Sequence, residues 1–181
     1  MIIEDRRKLV ESCYLIRTDW QDADSVMQMV QEWRACGGRM NPRLLRSLQG
    51  DYADWMKILQ NSDRKSDTGN TVPQTFYLLK SKENEILGAA ALRHELNETN
   101  ICSGGHVAYG IRPACRGNGY GNQILKLALD KLREMQISKV LVTCDFDNYA
   151  SQKIILHNGG ILENQMMNDE GILENRYWIM N

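Results

Sequence analysis

The stretch "IRPACRGNGYGNQILKLALDKL", residues 111–132, decides the fold. An apolar, strand-like run ends at Pro113, Gly117, Gly119 and Gly121 follow at alternate positions, and an amphipathic helical pattern begins at once. Glycine at a helix entry costs up to roughly 1 kcal/mol relative to alanine, so something must offset it. Successive glycines leave backbone N–H groups bare and let a ligand approach with no Cβ in the way. At the positive end of a helix dipole this makes an anion site, above all a phosphate site. Arg116 adds a formal charge suited to a phosphate oxygen. The competing account of the same glycines is a tight turn that needs positive φ.

Three phosphate-binding schemes compete for the loop. A P-loop needs Lys and then Ser or Thr after its last glycine, whereas Gly121 is followed by Asn122 and Gln123. A dinucleotide fingerprint needs G-x-G-x-x-G, and the spacing here is G-x-G-x-G. Asp145 and Asp147 do end the next strand, near where a ribose-binding acid belongs, but about two strand-forming segments remain after it, too few for a doubly wound sheet. The third scheme is R/Q-x-x-G-x-G/A, which Arg116, Gly117, Asn118, Gly119, Tyr120 and Gly121 satisfy in full.

Outward from the loop, a helix is expected from about Gly119 to Met135, with Leu125, Ala128, Leu132 and Met135 on one stripe. "KVLVTCD" is apolar on both faces, the mark of a central, parallel strand. "YASQKIILHN" is a shorter helix leading to Gly159 and Gly160, and the end of the chain reads as two strands around an "NDEG" turn. Upstream, "TFYLLKS" and "ILGAAALRHEL" flank "KENE" as an antiparallel hairpin, and "GGHVAYGIRP" is a further strand whose Gly110 signals a bulge or a close backbone approach. "SCYLIRT" is a short first strand. The next helix carries Ala23, Val26, Met27, Val30 and Trp33 on one face and stops at Gly37 and Gly38. "DYADWMKILQ" is another, with Asp51 as N-cap, and residues 61–74 form a polar loop. The order β-α-α-β-β-β-α-β-α-β-β, with one strand–helix–strand unit in an otherwise antiparallel sheet, is that of a mixed α+β domain spanning 1–181.

Bulk composition agrees with a soluble globular chain: 181 residues, 43% hydrophobic and 25% charged. Lys plus Arg number 22 against 23 for Asp plus Glu, which gives no electrostatic footprint for nucleic acid or for a membrane surface. No stretch approaches the roughly 20 apolar residues of a membrane span, and the N-terminal "MIIEDRRKLVES" is not a signal peptide, so the cytoplasm is the expected compartment. The five cysteines, Cys13, Cys36, Cys102, Cys115 and Cys144, are scattered without a CxxC pair, which argues against a zinc site or a disulfide framework. Each is expected to behave as a small buried hydrophobe, Cys144 above all.

The third loop scheme is the pyrophosphate loop of the GNAT N-acetyltransferase superfamily, and the resemblance extends beyond it. "HVAYGIRP" resembles the strand that leads into that loop, and "VLVTCDFDNYAS" resembles the next strand and the Asn that follows. Together "LRHELN", "GGHVAYGIRP", "CDFDN" and "LEN…RYWI" look like a bacterial subgroup of predicted GNAT acetyltransferases, over most of the chain and most strongly from 86 to 181. The resemblance implies an α+β fold with a mixed, mostly antiparallel twisted sheet, helices on both faces and splayed central parallel strands. It implies acetyl-CoA as co-substrate, with no metal, and a small-molecule or peptide amine as acceptor; homodimers are common in the superfamily.

By the same resemblance, backbone groups near Tyr109, Ile111 and Arg112 bind the pantetheine arm like an added strand, and the N–H groups from Gly117 to Gly121 take the phosphates. Asn148 and Ser151 match the position where Asn touches the pantetheine, although Asn148 is equally a helix N-cap worth about 1 kcal/mol. Many relatives supply an acid from a Tyr seven residues after that Asn, where this chain has Ile155; a thiolate with a reference pKa near 8.5 leaves without much help. For a base, Glu95 working through water and His106 acting directly are the two candidates, each with a structural alternative, and His157 is expected at the surface. Arg39, Arg43 and Arg46 would favour a carboxylate or phosphate on the acceptor, or else line a solvated helix face. Two other classes stay open: a non-catalytic acyl-CoA-binding or sensing domain, and a nucleotide-binding module using the same loop.

Overall fold

The structure, a computed structural model, describes residues 13–64 and 71–181. Ser12 of the first strand segment and residues 65–70 of the polar loop lie outside the described residues. Strand β1 (Tyr14–Ile16) is followed by helix α1 (Ala23–Cys36), which ends where Gly37 and Gly38 take φ of 69° and 82°. Helix α2 (Tyr52–Ser62) starts at Asp51, whose carboxylate accepts the N–H of Ala53 at 2.6 Å. The hairpin is β2 (Gln74–Lys80) and β3 (Ile86–Arg93). A short helix α3 (Glu98–Cys102), capped by Asn97, precedes β4 (Val107–Ile111). Then come α4 (Tyr120–Glu134), β5 (Lys139–Asp145), α5 (Tyr149–His157), β6 (Ile161–Met167) and β7 (Leu173–Met180). The element order is the expected one with α3 added.

The strands form two sheets, β1-β2-β3-β4 and β5-β7-β6, with every pairing among the described residues antiparallel. Period-two alternation divides β2 between two cores. Tyr77 and Leu79 pack with Leu125, Ala128 and Leu132 of α4 and Ile155 of α5. Phe76 and Leu78 pack with Val30 and Trp33 of α1 and Trp55 and Leu59 of α2. Helices therefore cover both faces of the first sheet, as the α+β expectation required. Strand β5 is apolar on both faces as read, yet its full ladder is with β7 alone.

Between the sheets, β4 and β5 touch at one end. The His106 N–H donates to Leu141 O at 2.7 Å, and the Leu141 N–H donates to Nδ1 of His106 at 2.9 Å. Beyond that pair no ladder joins β4 to β5 among the described residues, and the strands splay. Gly110 sits in β4 without a bulge, and its missing Cβ makes room for the carbonyl of Asn41 and the ring of Trp33. The close-approach alternative holds there, and it packs the end of α1 and its following loop against the open gap. Of the cysteines, Cys13 and Cys144 are buried, but Cys36 and Cys102 are exposed, contrary to expectation.

Candidate active site

The antiparallel ladder fixes which backbone groups of β4 face the gap. Arg93 N–H donates to His106 O at 2.8 Å and Arg112 N–H to Leu87 O at 2.9 Å. Alternation then turns the N–H and C=O of Val107, Tyr109 and Ile111 away from β3, toward the splay. Tyr109 and the N–H of Ile111 thus present open strand edge where an extended chain could add, while the Ile111 carbonyl accepts from Arg116 Nε. Arg112 presents no such edge. Its N–H is engaged by Leu87, and its guanidinium grips Glu32 on α1 through Nε (2.7 Å to Oε2) and Nη2 (to Oε1). That bidentate ion pair pushes the guanidinium further above its usual range and holds the Glu32 carboxyl below it. Arg112 is a clamp between α1 and β4, a correction to its expected role at the pantetheine.

The glycine loop enters α4 with Gly117 and Gly119 at φ of 78° and 88°, Gly119 being the N-cap. Both readings of the glycines therefore meet in one loop: the turn needs positive φ, and the same turn exposes its amides. Arg116 N–H donates to Pro113 O and Asn122 N–H to Gly119 O, but among the described residues no acceptor meets the N–H groups of residues 117 to 121. Asn118 tightens the turn by donating Nδ2 to the carbonyls of Cys115 and Arg116. The Arg116 guanidinium lies 5.5 Å from the centre of the Trp33 ring and donates Nε to Ile111 O at 3.2 Å. Gly121 gives α4 room beside Ile154 of α5.

A cavity of about 580 Å³ runs from this loop to the splay, bounded by Trp33, Tyr109, Ile111, Gly117 and Ile154. Two buried polar atoms on residues in its wall, Trp33 Nε1 and Asn122 Oδ1, have no hydrogen-bond partner among the described residues. Neither atom is foreshadowed by the pattern of residues, in which Trp33 reads as one more apolar position of α1. A second cavity, about 270 Å³, opens on the far side of the splay between the loop after α1, the end of β3 and the β6–β7 turn. Arg39, Asn41, Tyr109, Asn148 and Ser151 line both. The splay is the passage between them.

In that passage the Tyr109 hydroxyl lies 3.0 Å from Ser151 Oγ. Burial pushes the phenol further above its usual range, against the opposing effect of the bond to Ser151, so it carries its proton at any working pH. The Cys144 thiol beside them is pushed up to about 12 by burial and stays a thiol. Asn148 accepts the Ser151 N–H at 3.1 Å, the expected N-cap, while lining both cavities. Ile155 is buried in the core, so its position on α5 faces away from the splay.

Neither expected base reaches this place. Glu95 is exposed past the end of β3 and lines neither cavity. His106 is 7% exposed, and its Nδ1 already accepts the Leu141 N–H. Burial first, and then the Arg93 charge, pushes its pKa down to about 4, too weak a base for an ammonium. His106 is the pin that joins the sheets. His94 bonds Thr75 Oγ1 at 2.8 Å, and His157 is exposed as expected.

Of the carboxylates that line the second cavity, Glu174 of β7 is the buried one, 4% exposed. Its Oε1 accepts from Ser103 Oγ at 2.8 Å and Asn168 Nδ2 at 2.7 Å, while Oε2 is buried without a partner among the described residues. Arg39 spans the cavity mouth, 3.3 Å from Asp145 Oδ1 and 3.2 Å from Glu170 Oε2.

Comparison with known proteins supplies a family. Residues 14–161 match the model described as "Acetyltransferase (GNAT) domain". Among solved structures, a ribosomal L7/L12 alpha-N-protein acetyltransferase, RimL, in complex with coenzyme A superposes with a TM-score of 0.69 at 19% identity, covering 93% of this chain and 94% of that one. The Salmonella typhimurium acetyltransferase described as modifying the N-terminal serine of L7/L12 gives 0.63 at 18%, covering 94% and 95%. Spermidine N-acetyltransferase from Vibrio cholerae, solved with coenzyme A and spermine, gives 0.64 at 14%, covering 94% and 96%. These likenesses are of fold. No curated protein matches the sequence.

Proposed function

The chain belongs to the GNAT acetyltransferase family, enzymes that move an acetyl group from acetyl-CoA to an amine, and from that premise we propose how its residues do so. The diphosphate of the coenzyme sits on the N–H groups of Gly117, Asn118, Gly119, Tyr120 and Gly121 at the N-terminus of α4, with Arg116 beside it. The pantetheine arm runs through the 580 Å³ cavity along the free edge of β4 at Tyr109 and Ile111, past Asn148 and Ser151. One observation carries this reading: the amides of residues 117 to 121 meet no acceptor among the described residues, at the mouth of a cavity that leads to the splay. Trp33 Nε1 adds a buried donor in the same wall.

Acetyl-CoA supplies the thioester. The amine nitrogen attacks its carbonyl carbon, the C–N bond forms, and the C–S electron pair leaves on sulfur. The amine gives up a proton and the thiolate takes one. Tyr109 is the group placed to give it, through a hydroxyl that Ser151 orients and resupplies. It stands where the two cavities meet, and so replaces the tyrosine that Ile155 denies this chain.

The test is thiol release from acetyl-CoA over a broad amine panel, with a thermal shift by acetyl-CoA measured in parallel. Release together with a raised Tm is expected. A raised Tm with no release on any amine would favour a non-catalytic acyl-CoA sensor instead, and stabilisation by ATP or NAD but not by coenzyme A would favour a nucleotide module. We read residues 1–181 as one such domain, active in the cytoplasm, where its free cysteines stay reduced. No helix among the described residues is long and apolar enough to cross a membrane. A homodimer would find its surface on β6, where Ile161, Leu162 and Met167 are exposed.

A further inference from the structure

The second cavity narrows the acceptor, granted the reading just given of the first. Its basic side is Arg43 and Arg46, from the turn between α1 and α2, with Arg93 at the end of β3. Its acidic side is Asp145 at the end of β5, with Asp169, Glu170 and Glu174 from the β6–β7 hairpin. Arg39 joins the two sides by its ion pairs to Asp145 and Glu170 and is thereby neutralised. Among the described residues no lysine or histidine lines the cavity. Counting Arg39, guanidinium and carboxylate groups are equal in number, but only Arg39 is ion-paired to a carboxylate of the lining among the described residues.

Each side also holds an unanswered group. Among the described residues no hydrogen bond or ion pair engages the Arg43 guanidinium. The other two basic side chains bond to carbonyls: Arg46 Nε donates to Met40 O at 2.8 Å, and Arg93 Nη1 donates to Gly104 O and Gly105 O at 2.9 and 2.7 Å. Arg46 and Arg93 are both held below the usual arginine range, by burial first and then by neighbouring guanidinium charge (Arg39 and Arg43 at Arg46, Arg43 at Arg93), which the opposing pull of Glu170 and Glu174 does not cancel. Opposite them, Glu174 Oε2 is buried and unpartnered.

We infer that the acceptor is a small zwitterion: an amine whose nitrogen lies a few bonds from a carboxylate or phosphate, the anion held by Arg43 and Arg46 and the ammonium received against Glu174. A guanidinium fork matches either anion. A polyamine would bring further positive charge against an Arg43 guanidinium that no carboxylate pairs among the described residues. A cavity of about 270 Å³ lies below the roughly 300–1,000 Å³ of pockets for drug-sized ligands, which suits a molecule of amino-acid size.

The experiment measures thiol release by the full chain at saturating acetyl-CoA. The acceptors are the common amino acids, their aminophosphonate counterparts, the corresponding amides, and diamines with spermidine. Free acids or phosphonates should exceed their amides at least tenfold in kcat/KM, and the ratio of phosphonate to carboxylate tells which anion is native. Arg43→Ala, at an exposed position that does not threaten folding, should cut the preference for acid over amide by about 10- to 100-fold, the value of a charged hydrogen bond. Arg43→Glu should turn the preference toward diamines. Equal or better turnover of amides or polyamines would overturn the inference. So would failure of every anion-bearing amine while acetyl-CoA still raises the Tm of both wild type and Arg43→Ala. If acetyl-CoA leaves the Tm unchanged, the coenzyme reading itself has failed, and this inference with it.

Discussion

The two cavities that meet at Tyr109 are built from different materials. On the coenzyme side the ligating surface is main chain: bare amides from 117 to 121 and the free edge of β4 at Tyr109 and Ile111. On the acceptor side it is side chain: guanidinium and carboxylate groups brought from the turn after α1, the end of β3, the end of β5 and the β6–β7 hairpin. Main-chain surfaces bind what every family member shares, because amides are the same in every sequence once the backbone conformation is set. Side-chain surfaces carry what differs. The substrate of this enzyme is therefore written on the second side, and mutations on the two sides should separate affinity for coenzyme from choice of acceptor.

The sharpest break in that contrast is Gly119→Val. Gly119 holds φ of 88°, and a β-branched residue there costs on the order of 1–3 kcal/mol if the loop keeps its shape. Relaxing out of that conformation turns the amides away instead. Coenzyme affinity by calorimetry should fall about 100-fold or more, several times the loss from Arg116→Ala, which removes only an exposed charge. A loss of folding equal to the loss of binding would make the loop a structural turn and no more.

The same contrast explains what could be read in advance. The glycine loop is contiguous, so six neighbouring residues state its chemistry, and alternation along β4 predicts which edge is open. Periods of 3.6 and 2 placed nearly every element because both cores follow them faithfully, as the division of Phe76 and Leu78 from Tyr77 and Leu79 shows. Helix α3 escaped because "NETNIC" has no apolar period; Asn97 as its cap was the signal available. Glu174 escaped because in "LENRYWI" it is one polar residue of a strand, and only the fold sets it against Ser103 and Asn168, 71 and 6 positions away. His106 and Arg112 were misread for the converse reason. Each is polar and near the site, but its partners, Leu141 and Glu32, lie 35 and 80 positions off and give it a structural task.

The pin between the sheets offers the next test. The folded pKa of His106, about 4, lies below its ordinary 6.5, so on acidification the unfolded chain takes up this proton first. Stability should therefore be complete above about pH 6.5, fall as pH drops toward 4, and level off below, a loss of roughly 3 kcal/mol from this one group. Urea melts across that range check it, and His106→Asn, which offers an acceptor oxygen that does not titrate there, should flatten the slope. A slope unchanged by the substitution would assign the acid sensitivity to other groups. Coenzyme affinity of the folded chain should hold across that range and weaken only as pH approaches 4, where the folded His106 itself protonates and the His106–Leu141 pair is lost.

Tyr109→Phe tests the passage between the cavities with a smaller effect. The ring still fills its place, so coenzyme affinity should hold, while kcat falls about tenfold, at the low end for acid catalysis because a thiolate is a good leaving group. Ser151→Ala should do part of the same through loss of the 3.0 Å bond. An unchanged kcat would leave the thiolate unassisted, and the passage would be a conduit only.

Asn148 carries the smallest expected effect and the finest distinction, because it belongs to both materials at once. Its Oδ1 caps α5 through the Ser151 N–H at 3.1 Å, so Asn148→Ala should cost about 1 kcal/mol in stability. Asn148→Ser restores an N-cap but removes the amide that would reach the pantetheine. If capping were the whole of its work, the serine variant would recover both stability and coenzyme affinity. If Asn148 also touches the coenzyme, stability returns while affinity stays low. The residue then belongs to the coenzyme side by side chain as well as by position, joining Trp33 and Arg116 on a surface otherwise made of backbone and glycines.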